Sequence, residues 1–575
     1  MRERERAASA RSRRVDRGLS AAAGALVLAA IAYVNLAVDP GGPIGWSYQL
    51  LPLWLVFAAI AARGLAGARR RNGEGARRGA GASAFGWWPV VAVAAAVPYL
   101  HSLSIGFLSD DFGLAAAARQ AEGPLDVVRL RPYCLFYRPL SEMAWWAGVQ
   151  LWGGGPLGYH LLSLALHTGN SLLVYLVGLR LTGSRAAAGF AGLLFAVHPI
   201  HVEPVVWASC QPDLLATGLC LVSLLSLEAC LAAGSRLRRA AALVAALATF
   251  LLALLSKESA AALPGVVVLR AAVLPVGAGR RSAVGASAAY LLVLGAFGVW
   301  RFSVLGEIGG YELTPGFWGR FFPSAPLRQI EFFLFPLNRQ LLDESVGPAV
   351  LGAIVLLMAG GAAYVVGNLG RVPARRLWFY LGFVVLMSVP VWTLCMAITG
   401  GLESARFAYL PTVGLMWLVG EVLAGCVAGS RRGAPRVAAV IVLVGALTVW
   451  YVMPWRGADR LAKDVVAAAR DIVRELPASE EPPVLFVRRL PDTYRGAQVF
   501  RNCFHLALSA ASERPVIAHV VASGARSAGL PAQVLEVSNL LPGEYEVSWQ
   551  EETRRMEITR AGPPAAGHGP GGASP

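Results

Sequence analysis

The chain has 575 residues, 56% of them hydrophobic and only 15% charged, with a net charge of +16. Soluble chains carry about 25% charged residues, and a single soluble core stops growing near roughly 250–300 residues, so an ordinary soluble domain is excluded. The apolar content excludes a disordered chain, and the glycines lack the three-residue period of collagen.

A helix needs about 20 apolar residues to cross the hydrocarbon layer. Residues 1–18 are basic, with no cleavage site after them, and read as a cytoplasmic tail before a retained helix. Apolar runs at 19–38 and 48–66 predict a hairpin, which with the basic loop behind it fills 19–84. Further spans are expected at 85–105, 158–181, 185–200, 213–232, 240–256, 263–276 and 282–303. The last four are expected at 348–367, 377–398, 411–428 and 437–454. The expected fold is a polytopic α-helical membrane protein of about thirteen transmembrane helices, its core at 85–454.

Arginines cluster in the N-terminal tail, at Arg69–Arg71 with Arg77 and Arg78, and at Arg180 and Arg185. They recur at Arg236–Arg239, at Arg280 and Arg281, at Arg371–Arg376 and at Arg431–Arg436. Alternating helices bring every cluster to one side, which the positive-inside rule makes cytoplasmic. The opposite loops 39–47 and 201–212 contain neither Lys nor Arg. The basic charge is therefore a topology code, and nucleic acid is not an expected partner. The lipid bilayer is, and the bacterial cytoplasmic membrane is the expected location.

Three segments should lie outside: 106–157, 304–347 and everything after about 455. Residues 455–560 read as a small α/β or α+β extracytoplasmic domain. Its helix is expected at Leu461–Leu476 and its strands at Val484–Val487, Val516–Val521, Tyr545–Trp549 and Arg555–Ile558. Residues 561–575 read as a disordered tail. The seven cysteines show no CxxC pair or metal spacing, and a Cys134–Cys210 disulfide stays open.

Ionisable groups collect at the external helix ends, where their cost makes them functional candidates. They are Asp110 and Asp111 in GFLSDDFG, Arg138 in FYRPL, and His198, His201 and Glu203 in FAVHPIHVEP. Asp213 follows in SCQPDLL, Lys257 and Glu258 in LLSKESAAALP, and Glu403, Arg406 and Tyr409 in LESARFAYLP. Each has a plainer reading. The acids fit a helix N-cap, Lys257–Glu258 an interfacial ion pair, and Arg138 a snorkelling side chain. His198, His201 and Glu203 suit a structural role better than a metal site, because Pro199 breaks the helical spacing and a fourth ligand is missing. His160 and His167 fit helix–helix contacts, and His505 and Cys503 fit packing of the external domain.

The ordered motifs SDDFG, YRPL, GYHLLSLALHTGNSLLVYL, LLFAVHPIHVEPVVWASCQPDLL, LLSKESAAALP and ARFAYLP resemble the C-type, polyprenyl-phosphate-dependent membrane glycosyltransferases. They are most similar to the protein O-mannosyltransferases and their tetratricopeptide-bearing transmembrane relatives. The resemblance covers about 85–454 and is densest at 106–265; the tetratricopeptide repeats are absent, and the hairpin at 19–84 looks like an addition. It implies a C-type glycosyltransferase fold, a polyprenyl-phosphate-linked sugar as donor, and an acid of the first external loop as base, matching Asp110 or Asp111.

The chemistry is consistent with this. A lipid phosphate leaves without an acid, so one carboxylate suffices to take the proton of an acceptor hydroxyl on protein or envelope glycan or lipid. Arg138, Lys257 and Arg406 are candidates for the donor phosphate. His198, His201, Glu203, Asp213, Glu258 and Tyr409 are candidates for orienting substrate. The scheme needs no cofactor and predicts no metal site, although some relatives use a divalent ion. Mannose is one candidate sugar, and a single displacement inverts the anomeric centre. The competing readings are a transporter or flippase, which should show repeated halves, a structural or binding membrane protein whose external tail after 455 does the work, and a surface-polysaccharide ligase.

Overall fold

A computed structural model describes residues 86–129, 136–275, 279–306, 324–334, 336–392, 402–430, 433–479, 481–500, 502–521 and 540–562. The spans expected at 19–38 and 48–66, the arginines at 69–78, Cys134 and nearly all of the tail at 561–575 lie outside the described residues.

Among the described residues, eight helices are long and apolar enough to cross a membrane. They are Pro156–Thr182, Ala208–Ala232, Arg236–Ser256, Arg280–Leu305, Pro348–Arg371, Ala374–Val391, Thr412–Gly429 and Gly433–Glu475. A ninth crossing is broken: Arg185–Val197 and Pro199–Val206 meet at 49°. Pro199 supplies the break, since it has no N–H to donate and its ring disfavours helical geometry in the residue before it; His198 is extended, with φ −74° and ψ 128°. The chain is thus a polytopic α-helical membrane protein.

The helices depart from the expected thirteen in three described places. The stretch 85–105 is an α-helix, Trp88–Ala96, that continues as a tighter 3₁₀ segment over Val97–Ser104, where Pro98 interrupts the ladder. The segment 263–276 forms a helix only over Leu263–Val273, 11 residues, about 16 Å of rise and half a bilayer. The span at 437–454 and the tail helix at 461–476 are one 43-residue helix, Gly433–Glu475, which carries Pro454 inside it. The charges at Arg456, Asp459, Arg460 and Lys463 mark where this helix leaves apolar surroundings, not where it ends.

Local chemistry sets the ends. Ser184 and Ser235 cap their helices by accepting from the N–H groups of Ala187 and Arg238, each at 3.3 Å. Gly183, at φ +66°, closes Pro156–Thr182 in the left-handed conformation. Helices Arg185–Val197 and Thr412–Gly429 pack so closely that a Cβ at Gly420 would lie 2.5 Å from the Ala187 carbonyl oxygen. Other helices face outward. Pro348–Gly367 buries no residue, and Leu292, Val299 and Leu356 are more than 70% exposed, which suits a lipid surround.

The C-terminal domain carries β1 (Val484–Arg488), β2 (Thr493–Tyr494), β3 (Ala497–Gln498), β4 (Ile517–Val520), β5 (Glu544–Gln550) and β6 (Arg555–Ala561). The main sheet runs β4-β1-β5-β6, with β1 parallel to both neighbours and β5 antiparallel to β6. The parallel β1–β4 pair needs a crossover, and the helix Phe504–Ala511 provides it. The domain is α/β, and all four expected strands are present.

The charged ends of the helices are segregated. Arg185, Arg236–Arg239 and Arg375 lie at the beginnings of helices whose opposite ends bear His198, Lys257 and Trp392, and Arg436 lies in the first turn of the helix that carries Asp459 farther along. Lys257, at one of those far ends, is part of the candidate site.

Candidate active site

The loop Gly106–Ser109 turns the chain from the 3₁₀ segment into the helix Asp110–Gln120. Ser109, at φ +47°, occupies the N-cap position, so the two acids sit in the first helical turn, where the helix dipole favours negative charge. Their side chains diverge. Asp111 is buried, 1% exposed. Its Oδ2 accepts from the Leu108 N–H at 3.0 Å, and its Oδ1 accepts from the Ser209 N–H at 2.7 Å and from the Ser209 hydroxyl. Burial pushes its carboxyl up to about 7, against the pull of those hydrogen bonds, and neighbouring Asp110 adds to the rise. Asp110 is half-buried, and its Oδ1 accepts from Asn502 Nδ2 at 2.7 Å.

All three candidate cations are ion-paired to candidate carboxylates. Arg138 Nε and Nη2 donate to Glu258 Oε2 and Oε1 at 3.0 and 2.5 Å, a bidentate fork. Lys257 Nζ donates to Asp213 Oδ1 at 2.6 Å, both groups deeply buried. Arg406 Nη1 donates to Glu203 Oε1 at 2.6 Å, while the N–H groups of Arg406 and Ser404 donate to the same carboxylate at 2.8 and 3.2 Å. Phe407 joins two of the pairs, with Lys257 at 5.0 Å and Arg406 at 4.7 Å from its ring centre. Lys257 and Glu258 are adjacent, which adds the third. Arg301 lies 3.9 Å from Glu258.

Trp207 links this cluster to the acidic loop. Its indole N–H donates to the Leu108 carbonyl at 3.1 Å, and its ring lies 5.1 Å from the Arg406 guanidinium. Ser209, bound to Asp111, stands two residues after Trp207 in the chain.

The remaining candidates form a separate buried network. His201 Nδ1 donates to the Phe195 carbonyl at 2.8 Å, and its Nε2 meets Thr412 Oγ1 at 2.9 Å. His167 Nε2 donates to the Ala196 carbonyl at 3.1 Å, and its Nδ1 meets the Tyr409 hydroxyl at 2.8 Å. Tyr409 also accepts from Asn170 Nδ2 at 3.2 Å. These bonds pin the broken crossing to the 405–412 segment, and His201 and Tyr409 are both fully buried. His198 is half-buried, and its Nδ1 accepts from the Ile200 N–H at 3.4 Å. Among the described residues, no group of three His, Cys, Asp or Glu is placed to hold a metal. Glu403, grouped with Arg406 in the sequence, accepts from Gln340 Nε2 at 3.2 Å. Cys503 is buried, but His505 is exposed.

Trp207, Ser209, Phe407 and Asn502 escaped the sequence reading because they are not charged and act through hydrogen bonds or a ring face. WASC, immediately before the acidic QPDLL, was the available signal for two of them.

An apolar groove of about 740 Å³ opens beside the acidic loop, lined by Leu103, Ile105, Gly106, Trp152, Leu157 and Leu161, with Lys463 at its border.

No protein-family model matches the chain. Curated proteins do. Its homologues are protein O-mannosyltransferases. The chain is 32% identical over 142 residues to protein O-mannosyl-transferase Tmtc1 of Drosophila melanogaster, covering 23% of this chain and 16% of that protein. It is 36% identical over 103 residues to protein O-mannosyl-transferase TMTC4 of Homo sapiens, covering 16% and 14%. The match thus spans less than a fifth of those relatives. Among solved structures, the chain is similar to ArnT from Cupriavidus metallidurans bound to undecaprenyl phosphate, at 17% identity and TM-score 0.44, over 77% of this chain and 87% of that one.

Proposed function

We propose that the chain is an integral-membrane hexosyltransferase that moves a sugar from a polyprenyl-phosphate donor to a hydroxyl on protein or envelope glycan or lipid. The observation that carries the reading is the arrangement around Trp207: a half-exposed carboxylate loop on one side, and three acid–base pairs built on Arg138, Lys257 and Arg406 on the other. Homology to protein O-mannosyltransferases supports the reaction class and makes mannose a candidate sugar.

Asp110 is the base in this reading. Both Asp111 oxygens are committed to Leu108 and Ser209, whereas Asp110 is accessible. The acceptor oxygen attacks the anomeric carbon as Asp110 takes its proton, and the bond from that carbon to the phosphate oxygen breaks. The electron pair leaves on the phosphate, and the configuration inverts. Arg138 is the best placed cation for the growing phosphate charge: its side chain is 20% exposed, against 14% for Arg406 and 5% for Lys257. Glu258 orients Arg138, Glu203 orients Arg406, and Asp213 holds Lys257. The groove beside Gly106 takes the lipid tail. The site end of the helices faces away from the cytoplasm, because the arginine-rich ends stay inside.

Membranes bearing the wild-type chain or Asp110→Asn, supplied with labelled polyprenyl-phosphate sugar, test this. Wild type labels an acceptor and the variant does not. Mass spectrometry of envelope proteins and glycolipids from wild-type and deletion strains identifies the acceptor. Equal labelling by both would reject the base assignment.

A further inference from the structure

The C-terminal domain reaches the acidic loop at one short segment. Asn502 Nδ2 donates to Asp110 Oδ1 at 2.7 Å, and the Asn502 N–H donates to Ser109 Oγ at 3.1 Å. The Ser109 N–H donates to the Val499 carbonyl at 3.0 Å. Phe500 stacks on Phe112, ring centres 6.3 Å apart. Residues almost four hundred positions apart in the chain thus meet through three hydrogen bonds and a ring stack. Asn502 is itself held firmly. Cys503 takes the left-handed conformation, at φ +64°, to begin the helix Phe504–Ala511, and Phe500 packs edge-on against Phe504 at 5.1 Å. The residues before it are tied by bonds from the Val499 and Phe500 N–H groups to the Asp492 and Pro491 carbonyls.

We propose that Asn502 is a positioning residue, through which the C-terminal domain orients the Asp110 carboxylate and so completes the active site. The inference rests on the reading of Asp110 as base. Asn502 engages Oδ1 and leaves Oδ2, which accepts no hydrogen bond among the described residues, turned to the acceptor's proton. An amide suits the task. It fixes the carboxylate by hydrogen bonding but adds no formal positive charge, which would hold the carboxylate ionised and weaken it as a base. The domain is then a part of the catalytic machinery rather than only an attachment.

The test uses the full-length chain in lipid nanodiscs, with undecaprenyl-phosphate-[³H]mannose as donor and envelope protein extract as acceptor. Asn502→Ala should lower kcat about 10- to 100-fold, the scale set by misplacing a reacting group, with donor KM within about twofold. Asn502→Asp should move the acid limb of the pH–rate profile up by about one unit or more, because a like charge disfavours ionisation of Asp110. Asn502→Gln should recover part of the rate. A merely structural contact would lower thermal stability without moving the pH profile. If Asn502→Ala and Asn502→Asp keep wild-type kcat and pH dependence while Asp110→Asn is inactive, the positioning role is wrong and the base stands. If Asp110→Asn is also active, the base reading itself fails. A second readout does not depend on the donor: carbodiimide labelling of Asp110, followed by peptide mass spectrometry with Asp111 as internal reference. Asn502→Ala should raise it about threefold or more as the contact is lost, and unchanged labelling would overturn the proposal.

Discussion

The Asp111 carboxylate accepts from both the backbone N–H and the hydroxyl of Ser209, a residue 98 positions away. With the bond from Leu108, this fastens the acidic loop to the segment between the broken crossing and the helix that begins at Gln211. The two adjacent acids thereby differ: Asp111 is part of the frame, whereas Asp110 is half-buried and bonds only Asn502 through its side chain among the described residues.

That division predicts opposite behaviour on substitution. Asp111→Ala strands buried donors, each costing about 1–3 kcal/mol, and should lower the thermal midpoint of the purified protein sharply. Asp110→Ala should shift it little.

Asp111 also predicts a pH dependence of stability. Its carboxyl rises from the usual 3.8 to about 7 in the folded chain, chiefly through burial. The native state therefore holds a proton that the unfolded chain has lost between about pH 4 and pH 7. Stability from this group is fully present at low pH, declines as pH rises through that window, and is level above it. Glu142, also raised to about 7 by burial, titrates in the same range, so the effect is read as the thermal midpoint of wild type minus that of Asp111→Asn, which should fall as pH rises from about 4 to about 7.

Much of this architecture was legible in the chain. Long apolar runs such as 158–181 and 213–232 became helices almost residue for residue, because bilayer thickness sets their length. Strands Val484–Val487 and Tyr545–Trp549 were legible from their β-branched and aromatic content. The join of 437–454 to 461–476 was not, since polarity reports the surroundings of a helix rather than its continuity. At the site, the charged residues were legible but their partners were not. Pairs such as Lys257–Asp213 and Arg406–Glu203 depend on helix ends that meet only in three dimensions.

The buried Lys257–Asp213 pair predicts a separation of stability from activity. Lys257→Met leaves Asp213 unpaired and should cost about 3–5 kcal/mol, whereas Lys257→Met with Asp213→Leu should recover most of it. If Lys257 also contributes charge at the donor phosphate, the double variant is folded and stable but transfers sugar poorly. Thermal melting and transfer assays on the same preparations check both.

Trp207 predicts a graded pair. Trp207→Phe loses the bond to the Leu108 carbonyl, about 1 kcal/mol, and keeps a ring beneath Arg406. Trp207→Ala loses both and should lower transfer further, read as kcat and donor KM for each variant.

Sidedness is checked with single cysteines. Glu552→Cys, in the C-terminal domain, should react with a membrane-impermeant maleimide on intact cells. Gly234→Cys, beside Arg236–Arg239, should react only after permeabilisation. The reverse pattern would contradict the orientation.

The most direct test of the whole account is sugar transfer from labelled polyprenyl phosphate by Asp110→Asn, compared with wild type in the same membranes. The account predicts a loss of about 100-fold or more, with protein level and thermal midpoint retained. Transfer at the wild-type rate would contradict it.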